Sequence, residues 1–213
     1  VLDSTGTVVE EWISTEEPHM IRGLLVGETY TLVETKPADG YTTAESIEFK
    51  VEDTAEIQKH QMLDDVTKVE ISKTDMTDSK EVPGAKLTIL DKDGKVVESW
   101  VSDKDPHMVE KLPVGTYTLR EEQAPDGYLV AEEVSFEVKD TGEIQKVEMK
   151  DARPVGKLVL KKTDAEDGSP LAGAEFELRI KKSGKVVATL VTDEEGAATS
   201  GDIPIATYKD GKM

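Results

Sequence analysis

Lys73, Glu121 and Asp151 are charged residues that continue the apolar face of an alternating segment. Val69 and Ile71 precede Lys73 at spacing two, Tyr117 and Leu119 precede Glu121, and Val147 and Met149 precede Asp151. Side chains two apart on a strand share a face, so the phase that buries the apolar residues buries the charged ones too. An unpaired charge is costly in such a place. The bland alternative is that strand ends fray and these groups reach water. Three such positions in one stretch favour burial, as do the counterparts elsewhere: Glu34 and Asp64 repeat the carboxylates, and Lys162 repeats the lysine.

Burial disfavours charge, so it turns an amine into a neutral nucleophile and a carboxylate into a protonated, electrophilic carboxyl. Held in contact, Lys73 and Asp151 are set to condense to an amide with loss of water. Glu121 would shuttle protons and hydrogen-bond the aspartyl carbonyl.

The elements that must position these groups are short strands. Lys68–Asp75, Ala85–Leu90, Val96–Val101, Thr116–Glu121, Val134–Val138 and Ile144–Asp151 alternate, and Pro83-Gly84, Asp93-Gly94 and Pro125-Asp126-Gly127 supply turns between them. No stretch carries a convincing helical period. The expected fold class is all-β, with the strands stacked as a β-sandwich.

The chain repeats itself. Leu2 to Trp12 recurs as Leu90 to Trp100, and Pro18-His19-Met20 as Pro106-His107-Met108. Tyr30-Thr-Leu-Val-Glu34, with Pro37-Ala-Asp-Gly-Tyr41 close behind, recurs as Tyr117-Thr-Leu-Arg-Glu121 and Pro125 to Tyr128. Leu160 to Asp164 matches Ile71 to Asp75, and Ile203 to Tyr208 matches Leu112 to Tyr117. Units this long are beads, not solenoid turns. Three domains are expected: 1–65, lacking its first strands; 66–153, complete; and 154–213, lacking its last strands. The chain starts at Val1 in mid-pattern, so an upstream segment is expected. The joints, Asp64-Asp65 and Ala152-Arg153-Pro154, are short and favour a stiff rod. Head-to-tail completion of the first unit by Lys162 of another chain is disfavoured, because both partial units fill the same strand positions (Trp12 with Leu190, Tyr30 with Tyr208). A monomer with unpaired Glu34, Asp64 and Lys162 is expected.

Composition agrees with thin cores: 37% hydrophobic and 33% charged residues in a chain of 213. A net charge of −19 argues against binding to nucleic acid or an anionic membrane. No apolar run is long enough for a membrane helix, and no signal peptide is present. There is no cysteine, hence neither a disulfide nor a thiolate metal site. No cofactor is expected.

Ser72-Lys-Thr-Asp75, Val82-Pro-Gly-Ala85, Tyr117-Thr-Leu-Arg-Glu121 and Ala124-Pro-Asp-Gly-Tyr128 together resemble the collagen-adhesin B-type (Cna-B, SpaA-like prealbumin-type) domains of Gram-positive surface proteins. The resemblance spans the chain. It implies tandem prealbumin-like or Ig-like β-sandwich domains, with a lysine on the first strand bonded to an Asn or Asp on the last and a catalytic glutamate; Lys73, Asp151 and Glu121 stand at those positions. It also implies an extracellular, wall-anchored adhesin stalk or pilin, whose partners are the neighbouring domains of the same protein.

The other candidates read as structural. His19 and His107 are expected in loops and make no metal site; Trp12 and Trp100 fit core or half-core positions. Asp91 to Gly94 resembles a calcium loop, but Ser102 stands where the loop needs glutamate, so it is a hairpin turn. Two functions remain: a structural stalk segment, or repeats that themselves bind a host matrix protein or glycan. A turnover enzyme is disfavoured because the one reactive constellation consumes itself.

Overall fold

The computed structural model describes residues 1–204. Tyr208, the expected match of Tyr117, lies outside the described residues. Every regular element described is a strand. The first stretch holds β1 (Thr29–Leu32) and β2 (Ile47–Lys50), an antiparallel pair. The middle stretch holds β3 (Lys68–Asp75), β4 (Lys86–Leu90), β5 (Val96–Val101), β6 (His107–Glu110), β7 (Gly115–Gln123), β8 (Val134–Val138) and β9 (Ile144–Asp151). The third holds β10 (Val155–Gly156), β11 (Val159–Lys161), β12 (Glu175–Arg179), β13 (Val186–Val191), β14 (Ala197–Thr199) and β15 (Ile203–Pro204).

The middle stretch is a two-sheet sandwich. One sheet runs β6-β3-β9 and the other β5-β4-β7-β8. Antiparallel neighbours make up the second sheet, while β3 and β9, the first and last strands of the unit, pair parallel. Val69, Ile71, Val109 and Met149 from one sheet face Leu87, Ile89, Leu119 and Val138 from the other, and all are buried. Alternation along each strand delivers these residues inward, which is why so thin an apolar supply still closes a core.

One strand is missing from the sequence reading, and it corrects the placement of His107. That residue opens β6, which pairs with β3. Its ring stacks on Trp100 with centroids 4.4 Å apart, and its Nε2 lies 2.6 Å from Glu98 Oε1. The contact brackets β5 to β6, the edge strands of the two sheets. His19 lies outside any strand, as expected, yet repeats the bracket with Trp12 at 4.3 Å and Glu10 at 2.6 Å. Trp100 is half-buried against the core. The Asp91–Gly94 segment is a turn whose Asp91 Oδ1 accepts the Asp93 and Lys95 amides, both at 2.9 Å.

Ser102 stitches the Val82-Pro-Gly-Ala85 turn to the end of β5. Its hydroxyl donates to the Val82 carbonyl at 2.6 Å and accepts the Ala85 amide at 2.9 Å. Thr192 repeats both bonds in the third stretch, to Leu171 at 2.7 Å and Ala174 at 2.9 Å. Ser102→Ala strands a buried donor and a buried acceptor, at a cost of about 1–3 kcal/mol. Urea unfolding should show that loss, and Ser102→Thr should restore most of it. Equal midpoints for wild type and the alanine variant would refute the stitch.

Candidate functional site

Strand register decides what Lys73 can reach. In the parallel β3–β9 pair Lys73 stands opposite Met149, and both point inward. Asp151 is two residues further along the same face of β9, so the lysine stem needs to lean by only one pair to meet it. Lys73 Nζ contacts Asp151 Oδ1. Glu121 descends from β7 of the facing sheet, where it pairs with Leu87, and its Oε1 lies 3.3 Å from Lys73 Nζ. Exposures of 1%, 4% and 0% for Lys73, Glu121 and Asp151 leave the three without water.

Glu121 is held from behind: its Oε2 accepts the Ala131 amide at 2.6 Å. Its Oε1, despite the nearby Lys73 ammonium, and Asp151 Oδ2 are buried and accept no hydrogen bond among the described residues. Burial, with a smaller push from the neighbouring Glu121, takes the Asp151 carboxyl up to about 6 against the pull of Lys73. A proton shared between the two carboxyls would serve both orphaned oxygens. The arrangement therefore keeps an amine against a carboxyl that holds its proton more tightly than usual, beside a second carboxyl able to relay protons.

Asp75, two residues beyond Lys73 on the same strand, shows the opposite environment. It sits opposite Asp151 in the β3–β9 register and is also buried. Yet it collects donors: Tyr128 Oη at 2.6 Å, the Thr77 amide at 2.7 Å and Arg153 Nε at 2.8 Å. The Tyr128 hydroxyl, with help from Thr77 and Arg153, holds the Asp75 carboxyl well below the usual range. Arg153 also donates to Tyr128 Oη at 2.9 Å, and its guanidinium lies 5.1 Å from the ring centre. The Met76 amide adds a bond to the Asp151 carbonyl at 2.9 Å. This network fixes the end of β9 beside Lys73. Sequence reasoning missed its roles; the signal was the recurrence of Asp75 as Asp164 and of Tyr128 as Tyr41.

The counterparts in the flanking stretches are not assembled. Glu34 is half-buried and accepts the Ala44 amide at 2.7 Å, the same brace that Glu121 has. Asp64 is exposed, and no hydrogen bond or ion pair joins it to Glu34 among the described residues. Lys162 is half-buried and donates to the Thr163 carbonyl at 3.2 Å, with no carboxylate in ion-pair range among the described residues.

A seven-stranded sandwich whose first and last strands pair parallel, with a lysine and two carboxyls sealed inside, defines a prealbumin-like β-domain. The family model described as the SpaA prealbumin-like fold domain matches residues 1–65, 67–153 and 156–209. The chain belongs to that family. Among solved structures it is similar to the Bacillus anthracis TIE protein, with 32% identity and a TM-score of 0.53 over 83% of this chain and 34% of that one. It is also similar to a streptococcal ancillary pilin, with 18% identity and a TM-score of 0.37 over 84% of this chain and 64% of that one. The shaft pilin SpaA of Lactobacillus rhamnosus GG gives 17% identity and a TM-score of 0.38 over 60% and 63%. The chain thus spans less than two thirds of the length of each. No curated protein matches it.

Lys73→Met removes the cation and leaves Asp151 buried among apolar atoms and Glu121. Because the Asp151 pKa is raised to about 6 even against the pull of Lys73, loss of that pull raises it further. The folded state then binds more protons than the unfolded one, so stability falls as pH rises through and above the unfolded value of 3.8. The variant should melt at its highest temperature near pH 4 and lose stability towards pH 7, on the order of a few kcal/mol. A melting temperature that rises over that interval would contradict the buried-carboxyl reading.

Proposed function

We propose that this chain is a structural segment of a cell-wall-anchored surface protein of Gram-positive bacteria, a stalk whose middle unit locks itself with a Lys73–Asp151 isopeptide bond. The observation that carries this reading is the dry contact of Lys73 Nζ with Asp151, flanked by Glu121 at 3.3 Å. Family membership and the collagen-adhesin-like motifs support the setting. So does the absence of cysteine, since a small secreted domain with a thin core needs some covalent tie.

The reaction balances within the three groups. A proton moves from the Lys73 ammonium to the carboxyl pair, leaving a neutral amine and a protonated Asp151. The amine nitrogen attacks Asp151 Cγ. Glu121 accepts a proton from that nitrogen and returns one to the departing Asp151 hydroxyl. The Cγ–O bond breaks, water leaves, and a secondary amide remains between Nζ and Cγ. Contact geometry supplies the effective concentration and burial the driving force. Glu121 is regenerated, and the reaction happens once per chain.

Intact mass tests this directly. Wild type should be one water lighter than its sequence mass, and Glu121→Ala and Lys73→Met should each weigh the full sequence mass. An unmodified wild-type mass would sink the proposal. The bond would close a loop between residues 78 apart. By the loop-entropy treatment used for disulfides, that adds about 4–5 kcal/mol. Glu121→Ala should therefore be cleaved by thermolysin in the middle unit under conditions that spare wild type.

A further inference from the structure

Independently of the cross-link, the contacts between residues 1–65 and 67–153 form a built surface. The turn Pro37-Ala-Asp-Gly-Tyr41 of the first stretch sits against the loop that follows β6. Gly40 is buried with φ +82°, and a Cβ there would come within 2.3 Å of the Lys111 carbonyl oxygen. Lys111 itself is a non-glycine residue at φ +61°, an uncommon conformation. The fully buried Thr67 donates its amide to the Gly40 carbonyl at 3.1 Å, while its hydroxyl donates to the Leu112 carbonyl at 2.6 Å.

Two side-chain contacts close over this backbone seam. Lys111 Nζ donates to Tyr41 Oη at 2.8 Å and lies 4.9 Å from the ring centre. On the other side of the turn, Asp140 takes Thr43 with both oxygens: the amide at 2.8 Å and the hydroxyl at 2.6 Å. Exposed polar pairs of this kind count for little alone, but a two-point grip about a close-packed glycine fixes orientation.

The next tyrosine of the series is engaged differently. Tyr128 is the counterpart of Tyr41, and its cation is Arg153, which belongs to the linker behind it. The linker position equivalent to Arg153 at the first joint is Val66, and the position equivalent to Lys111 in the third stretch is Asp202. The cation that satisfies the tyrosine thus comes from the following unit at the first joint and from the linker at the second. The two exchanges occur together.

We propose that residues 1–65 and 67–153 are a docked pair, with the Pro37–Tyr41 turn as plug and the Lys111–Asp140 face as socket, and that lysine or aspartate at the position of Lys111 sets which units of the array accept such a plug. The partner class is a second prealbumin-like unit of the same chain, presented by its Gly-Tyr turn.

The chain has no cysteine, so two introduced ones can carry spin labels cleanly. Labels on Lys50→Cys and Lys92→Cys, both exposed, span the joint. Labels on Lys92→Cys and Glu137→Cys report the middle unit alone. Pulsed electron–electron resonance should give one narrow distance across the joint in the otherwise wild-type chain. Lys111→Asp, which copies the third stretch, should lose that narrow peak while the internal pair keeps its own. Thr43→Val with Asp140→Ala should do the same and serves if Lys111→Asp disturbs the internal pair. A broad distance across the joint before any change would overturn the docked pair. A narrow peak that survives both variants would overturn the socket.

Discussion

One ammonium and two carboxyls share a space that water does not reach, and the middle sandwich is arranged around that fact. Each ion taken from water costs several kcal/mol even after relaxation. Lys73 can neutralise only one of the two acids, so the set is left with a charge unless a proton stays with Asp151 or Glu121. The orphaned oxygens on those two carboxyls mark where that proton belongs. The proposed condensation would remove the ammonium and one carboxyl together and leave a neutral amide. Glu121 would then remain with its Ala131 brace. Burial, which makes the unreacted triad expensive, is therefore also what would favour its condensation.

Asp75 and Asp151 show how local the control is. They are partners in one strand register, both buried, and their carboxyls move in opposite directions. Composition does not separate them; donors do. Asp75 lies where β3 ends and receives a tyrosine hydroxyl, an arginine and a backbone amide. Asp151 points inward, where its charged neighbours are the triad itself. One aspartate is kept ionised to hold the strand end, and the other is kept reluctant to ionise.

Alternation along strands makes much of this legible in the sequence. Period two gives the phase of Lys73 from Val69 and Ile71, and of Glu121 from Tyr117 and Leu119, and repetition locates their counterparts. What alternation does not carry is anything at strand ends or between units. Asp75, Tyr128 and Arg153 belong to a strand terminus, a turn and a linker, where no periodic signal marks a side chain's direction. Strand β6 is short, follows Asp105-Pro106 and opens on His107, so it reads as loop until its pairing with β3 is seen. The Thr43–Asp140 grip joins residues 97 apart in the sequence, and nothing local to either hints at the other. Lys111 against Asp202 acquires meaning only once Tyr41 is found beside the first of them.

The parallel pairing of β3 with β9 has a mechanical consequence that an antiparallel closure would not. Tension along a string of such units enters the middle one at Thr67, just ahead of β3, and leaves at Ala152, just after β9. Pulled this way, β3 and β9 slide past each other in shear, loading their ladder of hydrogen bonds together. With an amide between Lys73 and Asp151, the load follows a shorter course: along β3 from Lys68 to Lys73, across the amide, and out through Ala152. The 77 residues between Lys73 and Asp151, a sequence separation of 78, then lie off the path. With that bond in place the sandwich would not need to resist extension; its task would be to have brought the three groups into contact and kept water from them. At the entry point the backbone of Thr67 is bonded to Gly40 of the preceding turn. Force would thus arrive through a packed seam at the first residue of the path, so a stiff joint and an inextensible unit would belong to one continuous line through the chain.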